Sequence, residues 1–209
     1  MVLEKKEPLI LKGDSCLDAA VKAFMAGGII AYPTETFYGL GVNPFDEKAI
    51  KRLFDLKGRQ DKSPIAVIAG DLGMLSMLTD NIPPLAERLI KRFWPGPLTI
   101  LFKAKGIIPA ELIAGTGKIG VRVSSNTVAM RLLEAINSPI TATSANPTGK
   151  PPALCAKDVI SYFNGGIDVL IDGGRLFGQK GSTIVDATED MPKIIREGEI
   201  RADEVMGVF

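Results

Sequence analysis

Short apolar runs, each closed by a glycine, a proline or a polar turn, alternate with stretches of helical spacing from Pro8 to Arg196, and this alternation restricts the chain to a sheet covered by helices. Pro8 to Leu11 reads as a strand. Ser15 is placed to cap a helix with Leu17, Ala20, Val21 and Phe24 on one face, which Gly27 and Gly28 end. Ile29 to Tyr32 reads as a buried strand ending at Pro33, and Asp46 is placed to cap a helix with Ile50, Leu53 and Phe54 along its stripe, ending near Gly58. Further strands are expected at Ile65 to Ile68, Leu98 to Phe102, Ile119 to Val123, Ile140 to Thr143, Val169 to Ile171, Thr183 to Val185 and Ile194 to Arg196. Helices are expected around Leu85 to Phe93, Val128 to Ile136 and Lys157 to Phe163. The predicted fold class is therefore α/β (α+β), a twisted open mixed sheet flanked by helices rather than a sandwich or bundle.

The 209 residues suit one domain, 1–209, and no repeat or long linker divides them. Asn146 to Pro152 holds three prolines and a glycine, which reads as a structured loop. Hydrophobic residues at 46% and charged ones at 23% allow a substantial core, and a net charge of +1 confines any nucleic-acid contact to a local patch. Cys16 and Cys155 make no CxxC unit, which argues against a zinc site or disulfide framework. Histidine is absent, which removes the Ser-His-Asp triad and histidine-ligated metals, so chemistry must rest on Lys, Arg, carboxylates, hydroxyls and backbone. The opening MVLEKKEPLILKGD lacks a secretory core, and no run is long enough to span a bilayer, so a soluble, cytoplasmic protein is expected.

Gly115-Thr116-Gly117-Lys118-Ile119-Gly120 matches a dinucleotide fingerprint by letter, but a strand pattern, Val121 to Val123, follows where a helix should open. Lys57-Gly58-Arg59 falls where the Asp46 helix ends, and Lys62 adds a third positive charge; such residues either bind an anion or complement the negative end of the helix. Thr141 to Pro147 sets hydroxyls and an amide at the end of an apolar strand, where open sheets bind ligands or where a Ser/Asn turn bonds to its own backbone. Pro33 to Thr36 and Gly181 to Asp186 are similar loops. Together they suggest one polar, phosphate-friendly cavity.

PTETFYGLG at 33–41, KGR at 57–59, WPGPLT at 94–99, GVRV at 120–123, TSANPTG at 143–149, GSTIVD at 181–186 and REG at 196–198 closely resemble, in order and spacing, the YrdC-like threonylcarbamoyl-AMP synthase family in its short form. The resemblance covers roughly residues 12–200 and implies a mixed sheet around a concave cavity. By that resemblance Lys57, Arg59, Ser144 and Asn146 contact the nucleotide, with Lys57 and Arg59 stabilising phosphate charge in catalysis and Arg196 a further ATP contact. Thr34, Arg122, Ser182, Thr116 and Thr143 look like threonine-side contacts. This chain has Gln60 where the family commonly has proline, Ser124-Ser125 where a proline-containing loop is usual, and no histidine.

The implied reaction joins L-threonine, bicarbonate and ATP into threonylcarbamoyl-AMP for tRNA modification. Magnesium would arrive with ATP, no metal being held by the protein, and separate threonylcarbamoyl transferase proteins would act downstream. Two other readings are a non-catalytic RNA-binding module, suggested by Lys57, Arg59 and the basic residues Arg88, Lys91 and Arg92, and a carbamoyl-adenylate-forming relative of hydrogenase maturation domains. The latter normally travels with an acylphosphatase module and zinc fingers, and neither is visible in the sequence.

Overall fold

The computed structural model describes residues 8–11, 17–58, 63–163 and 165–209. Strands stand where the apolar runs do, the third being an addition: β1 (Leu9–Leu11), β2 (Ile30–Pro33), β3 (Tyr38–Gly41), β4 (Ala66–Ile68), β5 (Leu98–Lys103), β6 (Lys118–Arg122), β7 (Ile140–Ser144), β8 (Val169–Ile171), β9 (Thr183–Asp186) and β10 (Lys193–Arg196). They form one sheet in the order β1-β8-β2-β3-β7-β4-β6-β5-β9-β10. The pairing is mixed, with β1, β8 and β2 parallel, β3 and β7 antiparallel to their neighbours, and β4–β6 and β5–β9 parallel.

Helices α1 (Leu17–Met25), α2 (Glu47–Lys57), α3 (Leu72–Leu78), α4 (Pro84–Phe93), α5 (Thr127–Ile136), α6 (Ala156–Tyr162) and α7 (Ala202–Met206) fill the connections. Asp46 caps α2 as its position demands, its side chain accepting from the Lys48 and Ala49 amides, an arrangement worth about 1 kcal/mol. Gly58 ends that helix at φ 60°, ψ 31°, a left-handed backbone that costs a glycine nothing. Asn126 caps α5 in the same way, accepting from Val128 and Ala129. Ser15, expected to cap α1, lies outside the described residues, as does Cys16.

Helices α1 and α5 pack on each other and on β2, and α4 packs on β5. The core they close includes Phe24, Tyr32, Leu40, Ile50, Leu53, Ile68, Phe102, Leu132 and Leu133, all essentially inaccessible to solvent. β3, α3 and α7 are additions to the sequence reading. β3 is Tyr-Gly-Leu-Gly, whose two glycines mask its strand character. The structure shows why a glycine stands there: a Cβ on Gly41 would lie 2.5 Å from Ile140 Cδ1 and 2.7 Å from the Tyr32 ring.

Candidate active site

Small side chains on the central strands leave a concavity. Ala66 of β4 stands opposite Ala142 of β7, and Gly39 of β3 opposite Ser144. Farther along, Ile184 of β9 pairs with Thr99 on one side and Arg196 on the other, while Ile68 pairs with Arg122. Over this floor lies a cavity of about 430 Å3, lined among others by Thr34, Arg122, Thr143, Ser144, Ser182 and Arg196, a size that suits a small ligand. Strand ends and the loops that leave them thus bring hydroxyls and two guanidiniums to one place.

The β2–β3 turn supplies Thr34. Its hydroxyl donates to Phe37 O at 2.7 Å and accepts from the Thr36 amide at 3.2 Å, so the residue both shapes the turn and presents an oxygen to the cavity. Ser182 Oγ lies 2.8 Å from Thr99 Oγ1, which fixes it at the mouth of β9. Arg196 donates to Ser182 O through Nη2 at 2.8 Å and Nε at 3.3 Å. Burial of its guanidinium, and then the charge of Arg122, lower Arg196 from the ordinary arginine value. Two guanidiniums in one cavity, even with Glu35 paired to Arg122, leave a net positive charge that favours an anionic occupant.

Arg122 is 6% exposed, and its charge is balanced: Nη1 pairs with Glu35 at 2.5 Å. The other Glu35 oxygen accepts from the Ser124 hydroxyl. Glu35 and Ser124 fall in stretches the sequence singled out but were given no site role, because a turn glutamate gives no signal of the strand end it will meet.

Lys57 does not lie among the cavity's lining residues. It is 5% exposed, and its ammonium donates to the backbone carbonyls of Ser144 and of Asn146, the latter at 2.9 Å. It therefore holds the loop after β7. Asn146 Nδ2 donates to Pro147 O at 3.0 Å and Lys150 O at 2.6 Å. Among the described residues, Asn146 Oδ1 is the buried side-chain polar atom left without a partner, an acceptor that a ligand N–H or O–H would satisfy.

Thr116 is not brought into the cavity. It is exposed, and its hydroxyl donates to Ile113 O at 2.7 Å and accepts from the Lys118 amide at 3.2 Å, closing its own turn. Arg59, Gln60 and Lys62 lie outside the described residues. Arg88, Lys91 and Arg92 stand on the exposed side of α4 and are not among the residues that line the cavity. No helix is long and apolar enough to cross a membrane among the described residues, and none of their His, Cys, Asp or Glu side chains gather in threes to hold a metal.

The family model Sua5_yciO_yrdC, described as "Telomere recombination", matches residues 22–198. A threonylcarbamoyl-AMP synthase of Pyrococcus abyssi is 40% identical over 183 residues, which are 88% of this chain and 54% of that protein. Another, from Cellvibrio japonicus, is 38% identical over 154 residues, 74% of this chain and 82% of that protein. A solved structure of Pyrococcus abyssi Sua5 in complex with L-threonine superposes with a TM-score of 0.91 at 36% identity, covering 97% of this chain and 61% of that one. This chain thus spans little more than half the length of the Pyrococcus protein.

Proposed function

This chain belongs to the Sua5/YciO/YrdC family, and on that premise we propose that it joins L-threonine, bicarbonate and ATP into threonylcarbamoyl-AMP. The observation that carries this reading is the convergence of Arg122 and Arg196 with the hydroxyls of Thr34, Thr143, Ser144 and Ser182 in one cavity of the family fold.

The threonine amine adds to carbon dioxide formed from bicarbonate. The resulting carbamate oxygen attacks the α-phosphorus of ATP, the bond to the β-phosphate oxygen breaks, and pyrophosphate leaves. Such a transfer needs alignment and charge neutralisation more than a protein nucleophile. Arg122 takes the threonine carboxylate, with Thr34, Thr143 and Ser182 beside it. Arg196, Ser144, Asn146 and Arg59 take the nucleotide, while Lys57 keeps the Ser144–Asn146 loop in place. Magnesium enters as the counter-ion of ATP, on the substrate's own phosphates.

The product then passes to a tRNA adenosine through separate transferase proteins, in the cytoplasm where all these reactants meet. Pyrophosphate release, followed while ATP, threonine and bicarbonate are omitted in turn, tests the proposal: release requires all three. Equal release without threonine, supported by carbamoyl phosphate, rejects it.

A further inference from the structure

Glu35 is largely covered beside the cavity, yet the reaction as written gives it no task. It sits between Thr34 and Thr36, which both line the cavity. Its carboxylate pairs with Arg122 through one oxygen and accepts from the Ser124 hydroxyl through the other. The side chains of the ion pair are 12% and 7% exposed. Ser124 Oγ accepts in turn from the Asn126 amide at 3.1 Å, and Asn126 Nδ2 donates to Thr34 O at 3.3 Å. The turn, the end of β6 and the cap of α5 are thereby tied into one closed circuit around Glu35.

We propose that Glu35 is a positioning residue that assigns the two arginines of the cavity to different anions. The inference rests on the proposed function. A guanidinium is planar, so fixing Nη1 fixes the direction in which its remaining N–H groups point. Those groups have no protein partner among the described residues, and Arg122 lines the cavity. Pairing with Glu35 also cancels most of the charge that Arg122 would show a phosphate, leaving an oriented donor edge matched to a singly charged carboxylate. Among the described residues no carboxylate pairs with Arg196, which keeps its full charge for the more highly charged phosphates. The amino acid and the nucleotide are thus sorted by local charge within a single cavity.

Pyrophosphate release at varied threonine and varied ATP tests this with Glu35→Gln, which keeps the shape and removes the charge. The threonine KM is expected to rise roughly 10- to 100-fold, the value of a hydrogen bond to a charged group, while the ATP KM stays level or falls as Arg122 becomes available to phosphate. Glu35→Asp keeps the charge and recovers part of the threonine KM. A purely structural role moves both constants together, or lowers only the active fraction and hence kcat. If Glu35→Gln fails to fold, Ser124→Ala carries the test: it loosens Glu35 without touching Arg122 and should raise the threonine KM several-fold. Unchanged or parallel constants in the variant that folds overturn the inference and leave the proposed function standing. Absence of threonine-dependent release by the wild type overturns both.

Discussion

The ammonium of Lys57 lies 2.9 Å from the backbone carbonyl of Asn146, across 89 positions of sequence, and it also donates to the carbonyl of Ser144. The last residue of α2 therefore fixes the loop that carries Ser144 and Asn146, two of the residues proposed to take the nucleotide. Lys57→Met keeps the length and removes these charged hydrogen bonds, so it should cost about 1.5–3 kcal/mol of stability and raise the ATP KM with it. Urea unfolding and pyrophosphate release check both. Lost turnover at undiminished stability would instead mean that Lys57 acts on phosphate directly.

How much of this was legible in the sequence follows from the kind of contact involved. Strands rich in Ile, Val and Leu show themselves through local composition, and Asp46 shows itself through capping chemistry; β3, with Gly39 and Gly41, does not. Arg122, Ser182 and Arg196 stood out through motifs with family likeness, and the fold brings them together. Lys57 also stood out, but its partners are carbonyls, which every residue has, so no side-chain pattern could announce them. Thr116 looked equivalent to the other hydroxyls because composition does not reveal which way a turn faces.

Gly178 and Gly174 separate two uses of glycine in the segment that passes over the β2–β3 turn. A Cβ on Gly178 would lie 2.1 Å from the backbone oxygen of Thr36, which cannot yield without moving the turn that holds Glu35. Gly174 has φ +82° with nothing within 4 Å, so its constraint is conformational alone. Gly178→Ala should cost about 2–3 kcal/mol and raise the threonine KM. Gly174→Ala should cost about 1 kcal/mol and leave that constant unchanged. Equal effects on both readouts would show that the close approach at Thr36 does not shape the cavity.

Asp186 and Lys118 form a partly buried pair at 2.7 Å and are not among the residues that line the cavity. Burial would raise the Asp186 carboxyl, but the hydrogen bonds from Lys118 and from the Thr188 hydroxyl and amide outweigh it and lower the group from its ordinary 3.8. Lys118 is raised from 10.5, chiefly by its hydrogen bond to Asp186. A depressed carboxyl adds stability above its unfolded value and loses it as pH falls through the folded one; a raised ammonium adds stability below its unfolded value and loses it as pH climbs through the folded one. The pair is therefore fully effective between 3.8 and 10.5. Asp186→Asn should lower the melting temperature at neutral pH and flatten its decline below pH 3.8. Thermal unfolding across the acid range reads this, and parallel curves for wild type and variant would remove the pair from the acid response.

Arg196 is anchored by one side of its guanidinium to Ser182 O, at 2.8 Å and 3.3 Å, and among the described residues no carboxylate balances its charge. Arg122 stands near enough to help lower it from the ordinary arginine value. The arginine thus holds a partly buried charge that an anionic ligand would neutralise. Arg196→Gln should raise the ATP KM by roughly 10- to 100-fold, the equivalent of one charge-assisted hydrogen bond, with the threonine KM nearly unchanged. Its effect on folding should be small, because the lost bonds to Ser182 O are offset by no longer burying a charged guanidinium, the main cause that lowers Arg196. Arg196→Lys keeps the charge but loses the planar double hold on Ser182 O, so its ATP KM should fall between the two. Added salt should raise the wild-type ATP KM more steeply than that of Arg196→Gln, since one screened attraction is missing from the variant. Steady-state pyrophosphate release at two ionic strengths, with thermal unfolding alongside, measures all three. A large loss of stability in Arg196→Gln with an unaltered ATP KM would make Arg196 a strut for the Ser182 loop and leave the nucleotide phosphates to other residues.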